Sequence, residues 1–182
     1  MKKTLVIVLL VLITPLLVFS SIKARINLSD EISYSLYNKI WVSPSEQYFS
    51  VKSVMNNPSI SNDVDFMFTD NIGLTVGFGV GYQSSIYDFN RFVTIPKSIN
   101  GSINAGVVTE FSRIKLALSA ILRSSFQTSR NNWISQLGGM FDVSYQFGNG
   151  LSLNAAYKYL YNNNMLSSAL SVGVGYTTGV NK

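Results

Sequence analysis

Cysteine and histidine are both absent from this chain of 182 residues, and only 13% of the residues are charged. Without cysteine, neither a disulfide framework nor a lipoprotein anchor is available. Histidine is the usual general base near neutral pH and the commonest metal ligand, so its absence argues against a serine–histidine hydrolase and against a zinc site. No metal or cofactor is expected, and the chain does not read as an enzyme. The 14 basic residues are scattered through apolar, Asn- and Ser-rich sequence rather than gathered in a stripe suited to phosphates, so nucleic acid is not an expected partner. Beyond the N-terminus, no run approaches the roughly 20 apolar residues of a transmembrane helix.

The N-terminus begins MKK, continues through an apolar run from Leu5 to Phe19 broken by Thr14 and Pro15, and reaches the small pair Ser20 and Ser21. That order is the order of a secretory signal peptide, with cleavage expected after Ser20. A retained anchor is the alternative, but roughly 15 residues fall short of the about 20 that a spanning helix needs, and Pro15 weakens it further. Residues 1–20 are therefore assigned as signal peptide, and 21–182 as one domain with 12 basic and 9 acidic residues.

What the chain has in abundance is two-residue alternation. Over 72–82, Ile72, Leu74, Val76, Phe78, Val80 and Tyr82 fall on one side of a strand and Gly73, Thr75, Gly77, Gly79 and Gly81 on the other. The pattern recurs in at least four further segments, with no amphipathic helix to cover the apolar faces. Lipid is the simplest solvent for them. A closed barrel is the β-structure that can stand in a bilayer with every backbone group paired. The predicted fold is all-β, an eight-stranded antiparallel up-and-down transmembrane β-barrel.

Turn chemistry sets the register. A two-residue turn at Ser112–Arg113 pairs Phe111 with Ile114, Thr109 with Leu116 and Val107 with Leu118, all facing outward, and sets Glu110 opposite Lys115 inside. Three-residue turns at 69–71 and at Gly148–Asn149–Gly150 keep Phe66 and Phe68, and then Tyr145 and Phe147, on the outer face. A four-residue loop from Asn162 to Met165 matches Tyr161 with Leu166. The resulting strands lie near 62–68, 72–82, 103–111, 114–123, 133–147, 151–161 and 166–177. An even count requires an eighth before them. Glu31–Val42 is the candidate, although Asn38 breaks its pattern. Two rival starts are Ile22, Ala24, Ile26 and Leu28 alternating with Lys23, Arg25 and Asn27, and Tyr48–Met55. Tyr145, Phe147, Phe68, Phe111 and Tyr176 would form an aromatic girdle near the turns, and Tyr157, Tyr159, Tyr161 and Trp133 one near the loops.

The stretch FTDNIGL at 68–74, preceded by Asp65 and Phe66 and followed by a glycine-alternating strand, resembles the first periplasmic turn of small outer-membrane barrels of the OmpA/OmpX/OmpW-like and opacity-type superfamily. WVSP at 41–44 resembles the end of the first strand in OmpW-like members. Such barrels usually end on an aromatic, whereas here Tyr176 is followed by TTGVNK. The resemblance implies an exported outer-membrane protein whose partners are outer-membrane lipid and, during biogenesis, the barrel-assembly machinery.

The lumen face contains Asp65, Glu110, Lys115, Arg123, Asp142 and Lys158, as structural or selectivity charges. Isolated buried charges are costly, so Glu110 is expected to pair with Lys115 and Asp142 with Lys158. Asp63 and Asp65 share a strand face and read as lumen groups rather than a catalytic pair. The bare inner faces at Gly73–Gly81 and at Ala169, Ser171, Gly173 and Gly175 either leave a narrow cavity or accommodate Tyr37, Trp41 and Met140. The expected function is a structural role or a narrow passage for small solutes. The alternative is a surface binding or adhesion protein acting through external loops 43–61 and 83–102, with Tyr87, Phe89, Arg91 and Phe92 as binding candidates.

Overall fold

The computed structural model describes residues 21–42, 47–88, 97–128, 131–162 and 165–181, so the signal-peptide assignment lies outside the described residues. Among the described residues there are nine strands: β1 (Ser21–Val42), β2 (Gln47–Asn56), β3 (Ser59–Met67), β4 (Ile72–Asp88), β5 (Ser98–Phe111), β6 (Ile114–Gln127), β7 (Asn132–Gln146), β8 (Leu151–Asn162) and β9 (Met165–Asn181). Each pairs antiparallel with its neighbours, and β9 returns to pair with β1 along Ser21–Tyr37, which closes the sheet. Strands β2 and β3 occupy one position in the wall, because both pair with β1 on one side and β4 on the other. The ring therefore has eight positions.

The break between β2 and β3 has a local cause. Asn57 keeps both ladder bonds to Glu31, at 2.8 and 3.3 Å, and the Pro58 carbonyl accepts from the Tyr82 amide at 3.0 Å. The reciprocal bond from Pro58 is missing because proline has no N–H. The wall continues past the break with one bond lost.

Register links strand number to barrel width. Following paired residues from Ile22 through Phe66, Leu74, Val107, Leu118, Phe141, Tyr157 and Leu170 returns to β1 at Ile32, ten residues further along. A shear of ten over eight strands, with ordinary strand spacing and rise, gives a tilt of about 40° and a radius of about 8 Å. An interior of that size is filled by side chains or holds one small ligand.

The outer face is predominantly apolar. Ile26, Leu28, Val76, Phe78, Leu118, Leu137, Leu170 and Val172 are each about half exposed or more. The expected girdle aromatics Phe68, Phe111, Tyr145, Phe147, Tyr176, Trp133, Tyr157, Tyr159 and Tyr161 are all exposed on this face. Asp30 is an exception, exposed between Leu28 and Ile32.

The three turns form as expected. The Phe68 amide donates to the Ile72 carbonyl at 2.9 Å, Phe111 pairs with Ile114, and the Phe147 amide donates to the Leu151 carbonyl at 2.7 Å. Gly150 holds a φ of 86° and Ser112 one of 57°, the left-handed conformations that such tight connections require. Four expectations need correction. The first strand is neither Glu31–Val42 nor its rival alone, since β1 joins both over 22 residues, with a register shift between Tyr37 and Ile40 that accounts for the misfit at Asn38. Loop 43–61 is mostly strand, because β2 and β3 occupy 47–56 and 59–67. Loop 83–102 is likewise shortened from both ends by β4 and β5. Strand β9 runs on to Asn181 rather than ending near 177, and its last residues pair with Ser21–Arg25.

Candidate functional site

The inner face carries ten charged residues among those described: Lys23, Arg25, Lys115, Arg123 and Lys158 against Glu31, Asp63, Asp65, Glu110 and Asp142. Five cations meet five anions, so the net positive charge of residues 21–182 belongs entirely to residues other than these ten. All six lumen charges read from the sequence face inward, but both expected pairings are wrong. Glu110 stands opposite Lys115 in register yet pairs with Lys23, while Lys115 pairs with Asp65. Asp142 pairs with Arg25 at 3.2 Å and Lys158 with Glu31 at 2.8 Å. The physical reason is the narrow bore: a long side chain reaches across the lumen as readily as to the adjacent strand.

The pairs form two layers. Nearer the turns, the Arg25 guanidinium is a hub. Its Nη1 donates to Ser144 Oγ at 2.6 Å and Asn154 Oδ1 at 3.2 Å, and its Nη2 donates to Asp63 Oδ2 at 3.3 Å and Asp142 Oδ1 at 3.2 Å. Asn27 closes the circuit, donating to Asp63 Oδ2 at 2.7 Å and accepting from Asn154 Nδ2 at 2.8 Å. Further toward the loops, Arg123 grips Glu31 with both η nitrogens, at 2.7 and 2.6 Å, and Lys158 donates to the same carboxylate. A two-pronged guanidinium–carboxylate contact is among the strongest charge-assisted geometries. Glu31 is fully buried beneath it.

Between the layers lies a cavity of about 60 Å³ whose lining includes Asp63, Asp142, Asn154, Lys158, Gly79 and Gly173. The bare strand faces thus have two uses. Gly79 and Gly173 border this space, whereas a Cβ at Gly77 would collide with Asp63 Oδ1 and Asn104 Oδ1. The latter glycine makes room for the polar network rather than for a ligand. Met140 also lines the cavity. The side chains of Tyr37 and Trp41 lie outside the described residues. Above the upper layer the interior turns neutral and polar, with Ser33, Ser35, Ser53, Gln83, Asn100, Gln136 and Ser167 buried. Asn100 donates to Asn57 Oδ1 at 2.8 Å, and Ser35 and Ser167 share a bond at 3.0 Å.

Sequence reasoning missed Glu31 and the roles of Lys23 and Arg25. The signal was present: extending the Ile22–Leu28 alternation to Ile32 places Lys23, Arg25, Asn27, Ser29 and Glu31 on one inner row. Of the loop binding candidates, Tyr87 is in β4, opposite Val54, and its side chain is not described. Phe89, Arg91 and Phe92 lie outside the described residues.

No family model matches the sequence, and no curated protein matches it. Several solved structures share its arrangement. Neisserial surface protein A superposes with a TM-score of 0.52 at 20% identity, over 84% of this chain and 96% of that one. For the outer membrane protein AlkL in lipid bilayers the values are 0.54 and 13%, over 90% and 92%. Ail, the attachment invasion locus protein of Yersinia pestis, in complex with the heparin analogue sucrose octasulfate, gives 0.52 at 16% identity, over 86% and 99%. With its closed ring of eight positions, apolar outer face and charged lumen, the chain has the fold of the small outer-membrane β-barrels.

Proposed function

We propose that this chain is an outer-membrane barrel with a structural, non-catalytic role: its signal peptide is removed near Ser20, the assembly machinery inserts it with both termini in the periplasm, and its lumen stays shut. The observation that carries the reading is the five-to-five charge pairing within the lumen. The cavity of about 60 Å³ left between the layers has room for a few waters, at roughly 10–15 Å³ each on this measure. Solute passage would require both layers to part, and breaking a buried pair typically costs about 3–5 kcal/mol. Catalysis by Asp63 and Asp65 is disfavoured because each carboxylate is already held, by Arg25 with Asn27 and by Lys115. The test is planar-bilayer recording of the purified, heat-modifiable protein. Absence of unitary conductance at neutral pH is expected. Stable openings in the wild type would replace the closed reading with the narrow passage.

A second reading, binding at the cell surface through the external connections, is favoured by charge. The strand ends and connections on the loop side carry Lys39, Lys52, Arg91, Lys97 and Arg130 against Glu46 and Asp88. Ail, one of the neighbours in fold, was solved with a polyanionic heparin analogue. Binding of sucrose octasulfate that disappears when Arg91 and Lys97 are neutralised would support it, and no binding at low salt would dismiss it.

A further inference from the structure

An acidic side chain interrupts the apolar wall of β1. The outward row of that strand reads Ile26, Leu28, Asp30, Ile32, Tyr34, and Asp30 is exposed on it. Asp30 lies four residues below Tyr34, which is about 10 Å along the barrel axis at ordinary strand rise and a tilt of about 40°. It therefore stands inside an apolar band roughly 25 Å tall rather than at its edge. Among the described residues no hydrogen bond or ion pair reaches its carboxylate. Its neighbours offer none: Val172 is its register partner on β9, and Pro58 lies on the other side, between the pairs Ser29–Ser59 and Glu31–Asn57. Asp30 borders a groove of about 430 Å³ in the outer face, with Leu28, Pro58, Leu153, Val172 and Val174.

A carboxyl group facing hydrocarbon is costly, and intramembrane acids ordinarily find a polar partner. Acyl chains supply neither donor nor acceptor, and the five lumen cations are committed to lumen anions. The partner must come from outside the chain and bring a polar group to the same depth. A second copy does so by symmetry, because a twofold axis along the membrane normal sets equal depths against each other and brings Asp30 to Asp30. A carboxyl that carries a proton is both donor and acceptor, so two of them at such an axis satisfy each other. The groove's apolar walls add packing but no preference, since lipid tails are as apolar as leucine; the polar contact selects the partner.

We propose that the outer face around Asp30 is a contact between two copies of this chain in the bilayer, with their Asp30 carboxyls hydrogen-bonded across its twofold axis. The proposal rests on the outer-membrane reading above. The chain has no cysteine, so a single introduced thiol reports its own position. Ile32→Cys places one beside Asp30, and Leu122→Cys places one on the outer face of β6, four positions away round the ring. Each variant is oxidised in lipid vesicles over a range of protein-to-lipid ratios and read as covalent dimer. Ile32→Cys should cross-link, and Leu122→Cys should not. Adding Asp30→Leu to Ile32→Cys should raise the protein-to-lipid ratio for half cross-linking about tenfold, the size of one polar contact in lipid. Asp30→Asn, whose amide also donates and accepts, should preserve the cross-link. Equal cross-linking at both positions would show random encounter and overturn the contact, as would undiminished cross-linking with Asp30→Leu. Monomer at every ratio would overturn the second copy and leave Asp30 to a basic residue of another membrane protein. Preserved heat-modifiable migration shows that each variant is folded. Recovery of the wild type in the aqueous fraction without detergent would instead overturn the membrane reading itself.

Discussion

Arg25 and Ile26 are neighbours in β1, yet Arg25 is 3% exposed and bonded to side chains of three other strands, while Ile26 is 54% exposed on the outer face. The two faces of one wall are held by different physics. On the outside each residue needs only to be apolar, because lipid accepts any shape. On the inside each charge needs particular partners at particular distances, because a barrel about 8 Å in backbone radius offers an unpaired ion in its filled interior little water. Outer positions should therefore tolerate changes of shape but not charge, and inner positions should tolerate neither.

The largest effect is expected at Glu31, which alone holds both Arg123 and Lys158. Glu31→Leu should lower unfolding free energy in lipid vesicles by about 3–5 kcal/mol, since two buried cations lose their anion. A change below about 1 kcal/mol in a urea titration would show that the upper layer is solvated. Next comes Val76→Arg on the outer face, expected to cost about 2–4 kcal/mol near mid-membrane; parity with a substitution in an exposed turn would break the assignment of that face to lipid. A pair of glycines gives a finer contrast. Gly77→Ala, whose Cβ meets Asp63 and Asn104, should cost about 1–3 kcal/mol by overpacking, while Gly139→Ala, in open space outside, should stay within about 0.5 kcal/mol. Equal costs would remove the distinction between the faces. The smallest of these inner effects belongs to Glu110→Gln, near or below about 1 kcal/mol, because its partner Lys23 retains 24% side-chain exposure.

That last expectation rests on a partner other than the Lys115 that the sequence implies for Glu110, and the difference shows which features were legible. Outer-face register could be read because a one-residue slip would expose polar side chains to lipid over a whole strand, so Phe111 with Ile114, Tyr145 with Leu153 and Tyr157 with Leu170 all pair as the alternation requires. Inward placement of Lys115, Arg123, Asp142 and Lys158 followed from the same parity. Partner choice did not follow, because it is decided across the bore, where residues such as Arg25 and Asp142 are separated by most of the chain. The first strand was divided between two candidates because a spanning strand needs only about 9–11 residues, whereas β1 has 22. The β2–β3 wall was hidden by Asn57–Pro58, a pair that usually signals a loop and here costs one ladder bond.

The central claim is that Lys115 and Glu110 choose partners across the bore rather than each other across the strand pair. Double-mutant cycles on Lys115 test it most directly, with Lys115→Met combined in turn with Asp65→Asn and with Glu110→Gln, read as unfolding free energies of the lipid-embedded protein. The structure predicts coupling above about 1 kcal/mol for Lys115 with Asp65 and within about 0.5 kcal/mol for Lys115 with Glu110. The opposite ranking, with Glu110 the stronger partner, would contradict the cross-lumen account.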